Sequence, residues 1–432
     1  MTQALFSSRD GGHELQAAVI DLFALARDLA AMPGFRVEVQ VMAFAFTDAA
    51  ISESLILAAR ACPNLTVRLI ADWSQSARGA ASVLRNLDEL RLPNLFVKFK
   101  LDVPYRRDPA TGYLSYSYGA SLGMLHHKTL LIRVDDRPVA MALGSFNWSA
   151  RGRTAYENLL VVGDALQDAA VLADFEAEFQ GLWSDHRLTA TSGRCASIMT
   201  RIKAEAKAGR DPRSPALLVD ILGVAGEVAT PRGPRREVDG PVLTAFSGAL
   251  PGGSPQAGHA ASLDRRAIDL LRPAGTRRPA PLTLNALALE AIRSVPSGAT
   301  LKVAMYALSP RVPEYADLLA AARRGVRLEV LLDATIGGPM GRALTALAKA
   351  EGLPLAVCLS RRRMHQKYLC CPQTGMVLTG TANMTEDATL RHSDHRILFR
   401  SDAALCAEFC ADFDLIWARL RSLDLPRADI VA

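Results

Sequence analysis

No stretch of this 432-residue chain is apolar for long enough to cross a bilayer. Even the most hydrophobic helix-like run, Leu15 to Met32, is interrupted by Asp21, Arg27 and Asp28, whereas a spanning helix needs about 20 almost unbroken apolar residues. Met1 to Gly12 has neither the basic end nor the apolar run of a secretory signal, so a cytoplasmic protein is expected. Seven cysteines, at 62, 195, 358, 370, 371, 406 and 410, contain no Cys-x-x-Cys pair. That spacing argues against a zinc site and against a disulfide framework, and predicts buried free thiols. Aromatic residues are scarce at 6%, which predicts a core of Leu, Val and Ala. Lysine is scarce too: of 50 basic residues only eight are Lys, at 98, 100, 128, 203, 207, 302, 349 and 367. Where Lys stands in a chain that otherwise uses Arg, an ammonium is the group to look for. With half the residues hydrophobic and a net charge of +6, the chain has the makeup of folded domains, two or three by length, and is compatible with an anionic partner.

The text of the chain is written twice. Phe6-Ser7, a helical pattern through Leu15, Val19, Leu22, Ala26 and Leu29, a strand Val37–Val41, a helix over 51–61 and a strand Val67–Asp72 make the first series. Phe246-Ser247, a helix through Leu284, Leu287 and Ile292, a strand Leu301–Met305, a helix over 315–324 and a strand Leu328–Asp333 repeat it. Both series end on a helix with aromatics four apart, Phe175-Phe179-Trp183 and Phe409-Phe413-Trp417, a spacing that puts each trio on one core-facing stripe. Two similar α/β units, 1–185 and 241–432, are therefore expected, with 186–240 as a connector containing one helix (195–208) and a Pro- and Arg-rich stretch, and a basic insertion at about 252–281.

Two short constellations carry chemistry. His126-His127-Lys128 is followed by Gly144-Ser145-Phe146-Asn147 and Glu157, and His365-Gln366-Lys367 by Gly380-Thr381-Ala382-Asn383 and Asp394. His365 lies 239 residues after His126, Asn383 lies 236 after Asn147, and Asp394 lies 237 after Glu157. On a strand, residues two apart share a face at about 7 Å, from a rise of ~3.3 Å per residue, so His-x-Lys presents an imidazole beside an ammonium. His127 points to the other face and reads as a bystander.

These residues resemble the phospholipase D superfamily, whose signature is His-x-Lys, an Asp and Gly-[Ser/Thr]-x-Asn, present twice; the look of Gly144–Ser149 and Glu157-Asn158 is closest to its nuclease and cardiolipin-hydrolase branch. The resemblance implies two α/β units, each a mixed sheet flanked by helices, related by a pseudo-twofold axis with one active site between them. It implies a phosphodiesterase that works through a covalent phosphohistidine without metal or cofactor. His126 would be the nucleophile and His365 the acid. Lys128 and Lys367 would hold phosphoryl oxygens, Asn147, Asn383, Ser145 and Thr381 would add donors, and Glu157 and Asp394 would orient imidazoles. The Asp five positions after Lys is replaced by Arg133 and Pro372, with Asp135 or Asp136 as stand-ins in the first copy only.

For the substrate, the sequence offers tyrosines 105, 113, 116 and 118 among Arg106 and Arg107, and Arg361-Arg362-Arg363 running into His365. With Tyr116, Tyr118 and Arg363 taken as substrate-binding residues, a nucleic-acid phosphodiester is expected ahead of a membrane phospholipid. Peripheral membrane contact goes with the lipid alternative, an inactive anion-binding protein is the third reading, and no second copy is needed to complete the site.

Overall fold

A computed structural model describes residues 2–76, 83–100, 105–107, 114–116, 124–163, 169–184, 189–209, 240–247, 283–390 and 392–424. The Arg-rich part of the connector and the basic insertion at 252–281 lie outside the described residues. In the first half the strands are β1 (Gln3–Phe6), β2 (Val37–Ala43), β3 (Leu65–Asp72), β4 (Leu95–Lys100), the small hairpin β5 (Tyr105–Arg107) and β6 (Leu114–Tyr116), β7 (Lys128–Val134), β8 (Arg137–Gly144), β9 (Asn158–Gly163) and β10 (Thr189–Ala190). The second half contributes β11 (Val242–Phe246), β12 (Thr300–Met305), β13 (Arg327–Asp333), β14 (Leu355–Ser360), β15 (Lys367–Cys371), β16 (Met376–Gly380) and β17 (His395–Phe399).

Among the described residues the first sheet runs β1-β9-β8-β7-β2-β3-β4-β10 and the second β11-β17-β16-β15-β12-β13-β14. Apart from β10 the two orders superimpose strand for strand. In each, three strands are parallel (β2-β3-β4 and β12-β13-β14) and the rest antiparallel. The parallel strands alternate at first and turn continuously apolar toward their C-terminal ends, as in Val37-Glu38-Val39-Gln40-Val41-Met42-Ala43, where helices cover both faces. The crossover helix Ala49–Ala61 starts where the Asp48 carboxylate accepts the N–H groups of Ala50 and Ile51. The two duplicated α/β units expected from the sequence are present. Strand β10 pairs with β4, and the helix Ser192–Lys207 carries Cys195 and Ile198 into the first core. Residues 189–207, read as connector, thus contact the first unit, through β10 and through Cys195 and Ile198.

Each sheet covers one face with its own helices. The other faces meet in a shared core with the helices Ala169–Ser184 and Ala403–Asp424. The expected aromatic stripes lie there, and they reach across the halves: Phe175 packs edge-on against Phe246 of β11, and Phe409 against Phe6 of β1, both at 5.0 Å between centroids. All seven cysteines are free and buried. No helix among the described residues is long and apolar enough to cross a membrane.

Candidate active site

The His-x-Lys segments stand where β7 and β15 begin. Just before each histidine the chain forms an isolated parallel bridge with the opposite half, Leu125 with Ser393 and Met364 with Tyr156. His126 N donates to Ser393 O (2.9 Å) and His365 N to Tyr156 O (2.9 Å). The carboxylates ending β3 and β13 anchor the same segments: Leu125 N donates to Asp72 Oδ2 (2.6 Å) and Met364 N to Asp333 Oδ2 (3.1 Å). Main-chain bonds between the halves therefore fix both histidines.

The rings meet edge to face with 6.5 Å between centroids, near enough for one ligand group to touch both. Each histidine is backed by the carboxylate of the other half. His126 Nδ1 hydrogen-bonds Asp394 Oδ1 at 2.7 Å. His365 Nδ1 lies 2.8 Å from Glu157 Oε1 but off the line of a hydrogen bond. Both lysines are buried and fold back so that Nζ donates to the carbonyl two residues earlier, Lys128 to His126 O (2.5 Å) and Lys367 to His365 O.

Both histidines are shifted down, while their two carboxyl groups are shifted in opposite directions. Burial, reinforced by Lys128, holds His126 at about 3, although Asp394 pulls upward. Burial and the nearby lysines also keep His365 well below the usual imidazole range. Burial alone would raise Asp394, but the bonded His126, together with His392 and Lys128, outweighs it and keeps that carboxyl far below its ordinary range. Glu157 is driven by burial up to about 8 against the pull of Lys367, so it carries its proton at neutral pH. Burial brings Lys128 down to about 8 and Lys367 well below the usual ammonium value.

The Gly-[Ser/Thr]-x-Asn turns have a steric cause. Gly144 and Gly380 take φ of 155° and 148°, and a Cβ would stand 2.4 Å from Asn158 O or 2.2 Å from His395 O. Asn147 and Asn383 follow, each with a buried side-chain oxygen lacking a hydrogen-bond partner, the kind of amide that a bound ligand completes. Ser145 and Thr381, expected to donate to substrate, are instead fully buried and brace the turn. Their hydroxyls accept Asn158 N (3.0 Å) and His395 N (3.1 Å). Asp135 and Asp136 lie beyond the far end of β7, in the tight turn to β8, and Arg133 pairs there with Glu38 and Glu176. Neither acid takes the place of the missing motif Asp. His127 is buried on the opposite face, 2.9 Å from His395 Nδ1 and stacked on that ring.

Of the expected substrate residues, Arg363 is exposed at the rim, donating to Tyr306 Oη (2.9 Å). Tyr116 enters only as backbone of β6, and Tyr118 lies outside the described residues. Several site residues escape a reading for reactive motifs. Ser7 and Ser247 each clamp a carboxylate loop: Glu157 N and Asp394 N donate to their hydroxyls, both at 2.7 Å. The repeated Phe-Ser was the signal. Phe44 lies 5.5 Å from His126 and Tyr306 4.9 Å from His365, each with the local lysine Nζ at 5.3 Å from the ring. With Met124 in the place of Arg363, by the matching bonds Ser393 N to Met124 O and Tyr156 N to Arg363 O, the pocket has one apolar lip and one polar, cationic lip.

Among the described residues, His126, His392 and Asp394 are the one group of three His, Cys, Asp or Glu with donor atoms within 4.8 Å of each other. One Asp394 oxygen there already accepts the His126 bond, and two lysines act on the same rings, a field that favours an anion over a cation.

A family model described as cardiolipin synthase, PLD-like domain, matches residues 34–183 and 292–417. No curated protein matches the sequence. Among solved structures, phosphatidylserine synthase of Haemophilus influenzae is similar over 96% of this chain and 86% of its own, at TM-score 0.60 and 14% identity. Polyphosphate kinase of Porphyromonas gingivalis is similar over 97% of this chain and 47% of its own, at TM-score 0.51 and 13% identity. The phospholipase D family member Nuc of Salmonella typhimurium covers 41% of this chain and 93% of its own, at TM-score 0.27 and 20% identity.

Proposed function

From the premise that the chain belongs to the phospholipase D-like family of cardiolipin synthase, whose members act on phosphodiesters, we propose a two-step phosphoryl transfer in which His126 is the nucleophile and His365 the proton donor. The observation that carries this is the pair of imidazoles 6.5 Å apart, each backed by a carboxylate of the opposite half. Asp394, ionised, holds the Nδ1–H of His126 and leaves the Nε2 lone pair facing the pocket. Glu157, carrying a proton beside His365 Nδ1, favours the tautomer with Nε2–H facing inward. His126 Nε2 attacks phosphorus and forms an N–P bond. As the P–O bond to the leaving group breaks, that oxygen takes the proton of His365 Nε2, which Glu157 replenishes at Nδ1. In the second step water or an alcohol gives its proton to His365 Nε2, its oxygen bonds phosphorus, and the N–P bond breaks. Lys128, Lys367, Asn147 and Asn383 stabilise the charge on the non-bridging oxygens. These steps call on no metal or cofactor.

A phospholipid is the better-supported substrate. The family description and the phosphatidylserine synthase likeness point that way, and so do the unlike lips, Phe44 and Met124 against Tyr306 and Arg363, which suit a diester with one apolar and one polar arm. The Tyr- and Arg-rich segment 105–118 favours a nucleic acid as the second reading. The test incubates the enzyme in excess chelator with phosphatidylglycerol vesicles, single-stranded DNA and RNA. Release or exchange of headgroup, lost in His126→Ala and His365→Ala, supports the proposal. Cleavage of the oligonucleotides alone moves it to the second reading, and turnover that survives either substitution removes the mechanism.

A further inference from the structure

Internal symmetry isolates one difference behind the two histidines. Ala155 and His392 occupy equivalent places. Each lies two residues before its carboxylate, and each carbonyl accepts a serine hydroxyl, Ser7 for Ala155 and Ser247 for His392. In each case the next residue bonds the chain leading to the opposite histidine. Ala155 brings no polar side chain. His392 sets an imidazole 5.9 Å from the His126 ring, with Nδ1 3.8 Å from Asp394 Oδ2. Asp394 thus has a histidine near each oxygen, His126 at Oδ1 and His392 on the Oδ2 side, whereas among the described residues Glu157 pairs with the one ring of His365.

We propose that His392 is a positioning residue that holds Asp394 from its second oxygen and thereby commits His126, rather than His365, to nucleophilic attack. A carboxylate bonded at one oxygen and flanked by a ring 3.8 Å from the other has little room to rotate about its Cβ–Cγ bond. It keeps its first oxygen in the plane of the His126 ring, so the Nδ1–H bond stays linear and Nε2 stays aimed at the pocket. At 3.8 Å the His392 contact is longer than a hydrogen bond; it steers by proximity without competing for the His126 bond. The His365–Glu157 pair, short but misaligned, is what such a pair looks like without the second histidine.

This inference rests on the two-histidine mechanism above, and its test separates the two. The enzyme, His392→Ala and His392→Asn are mixed with bis(p-nitrophenyl) phosphate, quenched in alkali, digested and mapped by mass spectrometry for the phosphoryl adduct. The wild-type adduct should sit on His126. In His392→Ala, whose side chain the equivalent position already carries, the burst of p-nitrophenol should slow about ten- to a hundredfold, and adduct should appear on His365. His392→Asn, which keeps a polar side chain on the Oδ2 side of Asp394, should recover to within about threefold of wild type. An unchanged burst in His392→Ala, or an Asn variant as slow as the Ala variant, would overturn the role of His392 and leave the mechanism standing; a wild-type adduct on His365 would overturn both this role and the assignment of His126 as nucleophile. Absence of any histidine adduct in the wild type would bring down the mechanism and this inference together.

Discussion

In the first half Ser7, Asp72 and Gly144 hold the main chain around the site, and in the second Ser247, Asp333 and Gly380 do the same through the same bonds. The residues around the two rings have diverged: Phe44 against Tyr306, Met124 against Arg363, Ala155 against His392, Glu157 against Asp394. One layer further in, His127 meets His395 where Gln366 bonds Asp412 at 2.8 Å. The comparison teaches that positioning the rings leaves little freedom, because it uses backbone bonds, while the charge around each ring can be set separately. One scaffold, used twice, can therefore hold one imidazole as nucleophile and its twin as acid.

The sharpest way to break that comparison is to remove each ring. His126→Ala and His365→Ala should each lower kcat by at least about a thousandfold, but only His126→Ala should abolish the covalent adduct altogether. Next come the carboxylates. Asp394→Asn can turn its amide N–H toward Nδ1 and favour the wrong tautomer of His126, and should cost about a hundredfold or more, whereas Glu157→Gln keeps a neutral donor beside His365 but has no acidic proton to pass on and should cost about tenfold; equal losses would erase the assigned difference. The pH profile of kcat/KM adds a third check. Glu157 and Lys128 both titrate at about 8 and are needed protonated, so the rate should fall about tenfold or more per unit above pH ~8. With His126 at about 3, it should hold steady down to mildly acid pH. An acid limb at the ordinary imidazole value would contradict the buried setting of that ring. Making the lips alike with Arg363→Met should reduce the preference for polar over apolar leaving groups about five- to tenfold, read as a ratio of kcat/KM values. The smallest effect tests the shared scaffold: Ser7→Ala and Ser247→Ala should each cost about 1–3 kcal/mol in thermal stability, and by similar amounts, because each leaves a buried N–H without its hydroxyl.

Much of this was legible in the sequence. The duplicated spacing placed His126, Lys128, Asn147 and Glu157 in register with His365, Lys367, Asn383 and Asp394, and strand alternation correctly turned His127 away from the pocket. The roles of Ser145 and Thr381 were not legible, since a hydroxyl in a tight turn can serve either a ligand or the neighbouring backbone and only the fold decides. Phe44 and Tyr306 were hidden because a lone aromatic ending an apolar strand carries no motif. His392 was hidden because its partner oxygen belongs to a residue whose own partner lies 268 residues away. The contact of the helix Ser192–Lys207 with the first unit was not legible, because Cys195 and Ile198 stand in text that otherwise reads as polar.

The parallel bridges Leu125–Ser393 and Tyr156–Met364 carry a consequence for how such an enzyme can be divided. Neither half owns the strand partner that steadies its own histidine, so a fragment ending near the connector would keep its sheet and lose its aim. An ancestral single-unit protein could have worked only by docking onto a copy of itself. Joining the two copies in one polypeptide made it possible for one to change its chemistry while the other kept the grip.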